Sequence, residues 1–380
     1  MTRVAAPEEL VGALEATRER TLALVSDIPD SELERVHSPL MSPLVWDLGH
    51  IAAFEDLWLV HRFGGEPMVR RDLAEVYDAF ETPRSGRGEL PFLRPEPARD
   101  YLDEVRARAL DAIERRGVGD GVLHELVVRH ELQHTETMLQ TMGLARLRCF
   151  EPPEGLPPAT PAGGLELVDV PGGRHELGAG PDGFAYDNER PRHGVEVAPF
   201  RLGRTPVSNA TWLAFAEGGG YQRREWWSDE AWHWKEQYDI THPLHWSGDG
   251  HEWRTGGWEP LDPDKPVVHV SWFEADAFAT AHGARLPTEA EWERAATWDQ
   301  GGLDHLGWVW EWTAGEFGGY PGFAAFPYPE YSEVFFGQGY RVLRGGSWAT
   351  SPRVATSTFR NWDHPDRRQI FAGVRIARDA

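Results

Sequence analysis

Tryptophan divides this chain in two. Of its 18 tryptophans only Trp46 and Trp58 precede residue 150, and the other sixteen follow it. Glycine shifts the same way. Between the two compositions lies EPPEGLPPATPAGG (Glu151 to Gly164), which reads as an extended Pro-rich linker. Two differently built domains are therefore expected, residues 1–150 and 165–380, joined by the linker 151–164. A length of 380 residues suits that division.

The first part is patterned for helices. Apolar residues recur at three- and four-residue steps over 8–27, 42–63, 96–116 and 120–143. Ser42 is the expected N-cap of the second stretch, with Pro43 at its first helical position. Four stretches of this length predict a four-helix bundle. The connection over 64–95 is too long for a tight turn and carries Arg84 and Arg87, and such loops tend to hold function. After the linker, short runs such as LELVDV and RVLRGGSW alternate with Gly, Pro and Asn. That pattern predicts a loop-rich α+β domain, with helices over 271–282 and 287–297. Thr288 and Glu291 form a capping box at the second of these. Most of the sixteen later tryptophans are expected in the core.

Several classes are excluded early. A formal net charge of -23 repels phosphates and disfavours nucleic acid as a partner. No run approaches the ~18–20 apolar residues of a transmembrane helix, and the opening residues carry no secretory signal pattern. The one cysteine, Cys149, allows no internal disulfide and no thiolate cage. A cytoplasmic location is expected.

The chemistry gathers in RHELQHTE. His130 and His134 are four residues apart, so both imidazoles leave one helical face. Such a pair can chelate a divalent metal, although pairs of this kind are also common on plain helix surfaces. His50 lies mid-helix in an apolar run, where a hydrogen-bonded core histidine is the ordinary occupant. In a bundle, however, facing helices supply inward ligands. Three neutral histidines leave coordination positions open, as catalytic zinc or dioxygen-binding Fe(II) requires. HELQH also matches the zinc-hydrolase string H-E-x-x-H, with Glu131 as general base. The nearest following carboxylates, Glu151 and Glu154, lie in the linker, a poor place for a third ligand.

A helical bundle with an early histidine and a late HExQH resembles the DinB-like metal-binding domain of the sulfoxide synthases of ergothioneine and ovothiol biosynthesis. RLPTEAEWERAA, GWVWEWT, VLRGGSW and FAGVRIARD resemble the formylglycine-generating-enzyme fold, a relative of C-type lectins. Formylglycine-generating enzymes bind copper through a cysteine pair, and the lone Cys149 excludes that activity. FPYPEYSEVFFG and FRNWDHPDRRQIFAGVR are similar to active-site segments of the mycobacterial-type ergothioneine synthase.

The resemblance implies an Fe(II) enzyme that uses dioxygen to join the thiol of gamma-glutamylcysteine to imidazole C2 of hercynine, with oxidation of sulfur to the sulfoxide. It implies His50, His130 and His134 as iron ligands and Tyr328 as proton donor. Gln133, Tyr331, Asn361 and Trp362 would hold hercynine, whose trimethylammonium needs aromatic faces and amide oxygens. Arg84, Arg87 and Arg367 would take the two carboxylates of gamma-glutamylcysteine, and Asp363 its ammonium. Arg368 competes with Arg367 for that role. The site is expected where the two domains meet. Four alternatives stand beside this reading. Within the same chemistry, a related enzyme forms a C–S or C–Se bond on hercynine or histidine, with cysteine as donor, as in the ovothiol pathway, or a selenosugar, as in the selenoneine pathway. In other classes, the chain is a non-catalytic lectin-like binding module or a zinc hydrolase. His242, His245 and His251 carry no assigned role.

Overall fold

A computed structural model describes residues 6–147, 165–254, 257–298 and 302–380. The linker 151–164, with Glu151 and Glu154, and Cys149 lie outside the described residues. The chain divides into two compact units, Met1–Arg148 with Asp182–Phe184, and Cys149–Pro181 with Ala185–Ala380.

In the first unit the helices are α1 (Pro7–Val25), the single turn α2 (Asp30–Leu33), α3 (Leu44–Glu55), α4 (Pro95–Arg116) and α5 (Val122–Ala145). Proline begins α1 and α4, where its missing N–H costs no hydrogen bond. The second long helix departs from expectation at both ends. It starts one residue late, with Pro43 as the cap and no side-chain cap bond. The Ser42 hydroxyl instead accepts from Arg87 Nη1 at 2.7 Å, a partner 45 residues away. At its other end α3 widens into a π-helical turn, Asp56–Phe63. The buried Asp56 carboxylate there accepts from the backbone N–H groups of Val69 (3.0 Å) and Arg70 (3.1 Å) and from the Tyr101 hydroxyl (2.9 Å).

The bundle interior is apolar around residues such as Leu14, Leu48, Leu102 and Met138, with one ionic knot. Each long helix contributes one member: Arg18, Glu55, Arg106 and Glu131. Arg18 bonds Glu55 at 2.7 Å and Glu131 at 2.9 Å, and Arg106 bonds Glu55 at 2.6 Å. Burial alone would raise the Glu55 carboxyl, but Arg106 and Arg18 outweigh it and hold the group below its ordinary value. Buried charges persist when paired and hydrogen-bonded in this way.

The second unit holds eleven short strands among its described residues: β1 (Leu167–Val170), β2 (Gly173–Leu177), β3 (His193–Val197), β4 (Phe200–Gly203), β5 (His251–Arg254), β6 (Gly257–Pro260), β7 (Trp310–Glu316), β8 (Arg341–Arg344), β9 (Asn361–Asp363), β10 (Ala372–Gly373) and β11 (Ala377–Asp379). One sheet has the order β1-β4-β11 and another β10-β7-β8-β9; β2 with β3 and β5 with β6 form two-stranded ribbons. Helices α6 (Asn209–Glu217), α7 (Asp229–Gln237), α8 (Trp272–Ala281) and α9 (Glu289–Thr297) complete it. Thr288 caps α9 in a full capping box with Glu291, and Ser271 does the same for α8 with Glu274. Each such cap stabilises its helix by about 1 kcal/mol.

Eight of the sixteen later tryptophans are buried, Trp212, Trp292, Trp310 and Trp312 among them. The expectation that most would be core is therefore too generous. Most of the others are half-buried, because a loop-rich domain lacks the sheet area to cover so many indoles. No described helix is long and apolar enough to cross a membrane.

Candidate metal centre and substrate-binding residues

His130 and His134 leave the inner face of α5, and His50 meets them from α3. Their ligand atoms lie within 4.8 Å of one another, the only such cluster among the described residues. His50 Nε2 is 3.1 Å from His130 Nε2. Nitrogens sharing one ion at about 2.1 Å stand roughly 3 Å apart when cis, so this pair already has a shared-ion spacing.

The surroundings fix the rings. His50 Nδ1–H donates to the Tyr77 carbonyl at 2.7 Å, which leaves the Nε2 lone pair facing the cluster. His134 Nδ1 lies 3.2 Å from Asp47 Oδ1, which leaves its Nε2 as the atom available to an ion. Trp46 stacks on His50 at 4.9 Å, and Phe54 lies against His130 at 3.6 Å. Burial, followed by the neighbouring His134 ring, pushes His50 and His130 well below the usual imidazole range, so both are neutral donors. An aromatic-walled donor set of three imidazoles fits a divalent transition metal with open positions.

Tyr77 comes from the long 64–95 connection. Its ring lies where a Cβ on Gly49 would stand, 2.1 Å from the Tyr77 Cζ, so only glycine admits it beside His50. The spacing of Trp46, Asp47 and Phe54 around His50 (three and four residues away) is the sequence signal for three of these supporting groups. Nothing local in the sequence points to Tyr77.

Glu131 is turned away from the cluster. Its carboxylate accepts from Arg18, from Arg106 at 3.3 Å and from the Thr21 hydroxyl at 2.7 Å, and it is 1% exposed. A carboxylate committed to two guanidinium groups cannot serve as a general base on a metal-bound water. The zinc-hydrolase alternative is corrected on this ground.

Arg84 is exposed, while Arg87 is buried in the same 3-10 turn, Arg84–Glu89. Arg87 donates to Thr82 O, Ala79 O and Ser42 Oγ, and its guanidinium covers the Trp46 ring at 3.8 Å. Burial lowers it to about 10 despite the nearby Asp47 charge. Gln133 is half-buried, one residue before His134.

In the second unit Tyr328, Tyr331 and Trp362 form one aromatic group. Tyr328 and Tyr331 are 6.2 Å apart and Tyr331 stands edge-on to Trp362 at 5.8 Å. Trp362 stacks on Phe317 at 4.1 Å. Asn361, Trp362 and Asp363 form β9, paired with β8. Asp363 lies 3.6 Å from Arg367. Arg368 is committed elsewhere, to the buried Glu274 at 3.0 Å, which leaves Arg367 as the more available of the two. His251 pairs with Asp249, His242 with its own neighbour's carbonyl, and the His245 ring meets His269 edge-on.

A family model for the DinB superfamily matches residues 13–138, and one for the sulfatase-modifying factor enzyme 1-like domain matches 154–306 and 299–380. The chain is 44% identical over its whole length to the hercynine oxygenase of Mycolicibacterium thermoresistibile, and covers 97% of that protein. The chain belongs to the hercynine oxygenase family. The hercynine oxygenase of Mycobacterium tuberculosis is 42% identical over 98% of this chain and 99% of its own. By contrast, the formylglycine-generating enzyme of Thermomonospora curvata is 36% identical over only 38% of this chain and 52% of its own. Membership of the hercynine oxygenases makes the chain an oxygenase and sets aside the non-catalytic binding-module alternative.

Proposed function

We propose that this chain is a non-haem Fe(II) sulfoxide synthase of ergothioneine biosynthesis, acting on hercynine, gamma-glutamylcysteine and dioxygen. The observation that carries the reading is the convergence of three imidazoles on one point of a bundle in a chain whose relatives are named hercynine oxygenases. The overall change balances simply. The C2–H of the imidazole and the S–H of the thiol give way to a C–S bond, sulfur gains one oxygen atom, and the other oxygen leaves as water.

His50, His130 and His134 would hold the iron. When bound there it would supply open positions at which dioxygen is activated beside the thiol sulfur. The chain's own groups do the rest. Tyr328 supplies a proton from a phenol, a group whose ordinary pKa near 10 keeps it protonated at neutral pH. Trp362 and Tyr331 offer faces to the trimethylammonium, and Asn361 and Gln133 offer amide groups. Arg84, Arg87 and Arg367 attract the two carboxylates of the thiol substrate to a protein of charge -23, and Asp363 takes its ammonium.

The test is anaerobic loading with Fe(II), then oxygen with hercynine and each donor in turn: gamma-glutamylcysteine, cysteine and a selenosugar. Product mass reads the outcome. A sulfoxide from gamma-glutamylcysteine in preference to the others is expected, and its absence overturns the donor assignment.

A further inference from the structure

The segment Phe326–Ser332 carries Tyr328 and Tyr331, and the short turn Tyr186–Glu189 grips it at both ends. Asp187 Oδ1 accepts from the Ser332 hydroxyl at 2.5 Å, and Oδ2 accepts from the Phe326 backbone N–H at 3.3 Å. Asn188 Nδ2 donates to the same Ser332 oxygen at 3.0 Å. Tyr186 stacks flat on Tyr331, 4.3 Å between centroids and 9° between planes.

The turn is itself anchored. Glu189 Oε1 accepts the Tyr186 backbone N–H at 2.8 Å, and the Asn188 carbonyl accepts from Arg360 at 2.7 Å. Arg360 is in turn paired with Glu289 at the start of α9. Asp187 is 3% exposed and Ser332 fully buried, in contrast to the exposed Phe326 and half-buried Tyr328 between and beside them. A buried carboxylate with its two oxygens spent on the two ends of one loop holds that loop to a single geometry. Burial works against the charged carboxylate and raises the group, while the Ser332 and Phe326 bonds oppose this.

We propose that Asp187 is a positioning residue for Tyr328: its carboxylate clamps Phe326 and Ser332 and thereby sets the place of the phenol between them. The proposal rests on the reading of Tyr328 as proton donor. Asp187 itself acts on neither substrate nor metal; it acts through the loop. A donor displaced by an ångström loses much of its effect on the rate.

The test is a double-mutant cycle in the full-length, iron-loaded protein, read as single-turnover rate, KM for each substrate, iron content and thermal midpoint. Asp187→Asn keeps size but cannot accept at both ends, and Ser332→Ala removes one end alone. Tyr328→Phe is expected to slow turnover roughly 100-fold or more. Asp187→Asn should slow it about 10- to 100-fold with iron content and the KM for gamma-glutamylcysteine held, and Ser332→Ala less. In the Tyr328→Phe background Asp187→Asn should then cost almost nothing more, because the group it positions is gone. An equal fold-loss in both backgrounds overturns the positioning role and leaves the donor reading intact. Full activity in Tyr328→Phe overturns the donor reading and the positioning role with it. If Asp187→Asn fails to fold, the cycle run with Ser332→Ala separates the same two outcomes.

Discussion

His134 Nδ1 stands 3.2 Å from Asp47 Oδ1, across the gap between α5 and α3. Asp47 is 1% exposed and is also the carboxylate with the larger charge effect on Arg87, ahead of Asp78. One carboxylate thus orients a ring of the histidine cluster and favours the charge of a guanidinium. Asp47→Asn removes the charge while keeping the shape. Iron affinity should fall about 10- to 100-fold, as is usual when the group behind a ligating histidine is altered. Anaerobic Fe(II) or Co(II) titration of the apo-protein reads it, and unchanged affinity would show that the ring is oriented by packing alone.

Gly49→Ala places a methyl group into the Tyr77 ring, with ring atoms 2.1 to 2.4 Å away. Tyr77 must move, and its carbonyl releases His50 Nδ1–H. The expected cost is about 1–3 kcal/mol of stability, together with a loss of bound metal. Urea denaturation and metal analysis check the two separately.

Glu131→Gln separates two meanings of the HELQH string. A zinc hydrolase would lose catalysis and keep its fold. Here the substitution breaks the ionic knot instead, so stability should fall by about 3 kcal/mol while activity per folded molecule at low temperature is largely kept. A fold of unchanged stability with abolished turnover would contradict a purely structural Glu131.

Acid should unfold the bundle through Glu55. Its folded-state pKa lies below 4.5, because Arg106 and Arg18 outweigh burial. A depressed carboxyl contributes stability above its unfolded pKa and loses it as pH falls through the folded value. Stability should therefore be level above about pH 5 and decline below 4.5. Glu55→Gln should be less stable at neutral pH and show a shallower acid decline, as followed by circular dichroism.

Arg84 and Arg87 should behave differently although both are assigned to the sulfur donor. Arg84 is exposed and has one backbone contact, to Leu40 O at 3.3 Å. Its change to Ala should raise KM for gamma-glutamylcysteine several-fold and leave kcat and stability unchanged. Arg87 also ties down Ser42, Thr82 and Ala79, so Arg87→Ala should raise KM and lower the thermal midpoint together.

The histidine cluster is legible in the sequence because i,i+4 spacing fixes the relation of His130 to His134, and bundle geometry brings a mid-helix His50 opposite. The capping box at Thr288 is legible for the same reason: both partners are local. Long-range partners are not. Ser42 reads as a cap until Arg87, 45 residues on, takes its hydroxyl. The π-helical turn depends on the Val69 and Arg70 amides reaching Asp56. Glu131 shares a five-letter string with its histidines, yet the partners that decide its direction, Arg18 and Arg106, lie on other helices. The anchoring of the Tyr328 loop through Asp187 joins segments 139 and 145 residues apart and leaves no trace in either.

The ionic knot has a consequence for handling the protein. Its four members hold all four long helices together through contacts that owe nothing to an ion. On the proposed reading the imidazoles would therefore be presented by a frame that does not depend on a metal, a socket and not a fastener. Stripping and reloading should then be an exchange at fixed geometry, with Co(II), Mn(II) or Zn(II) expected to seat in the same three rings. Spectroscopically visible or redox-silent forms can then be compared with the iron form on one scaffold.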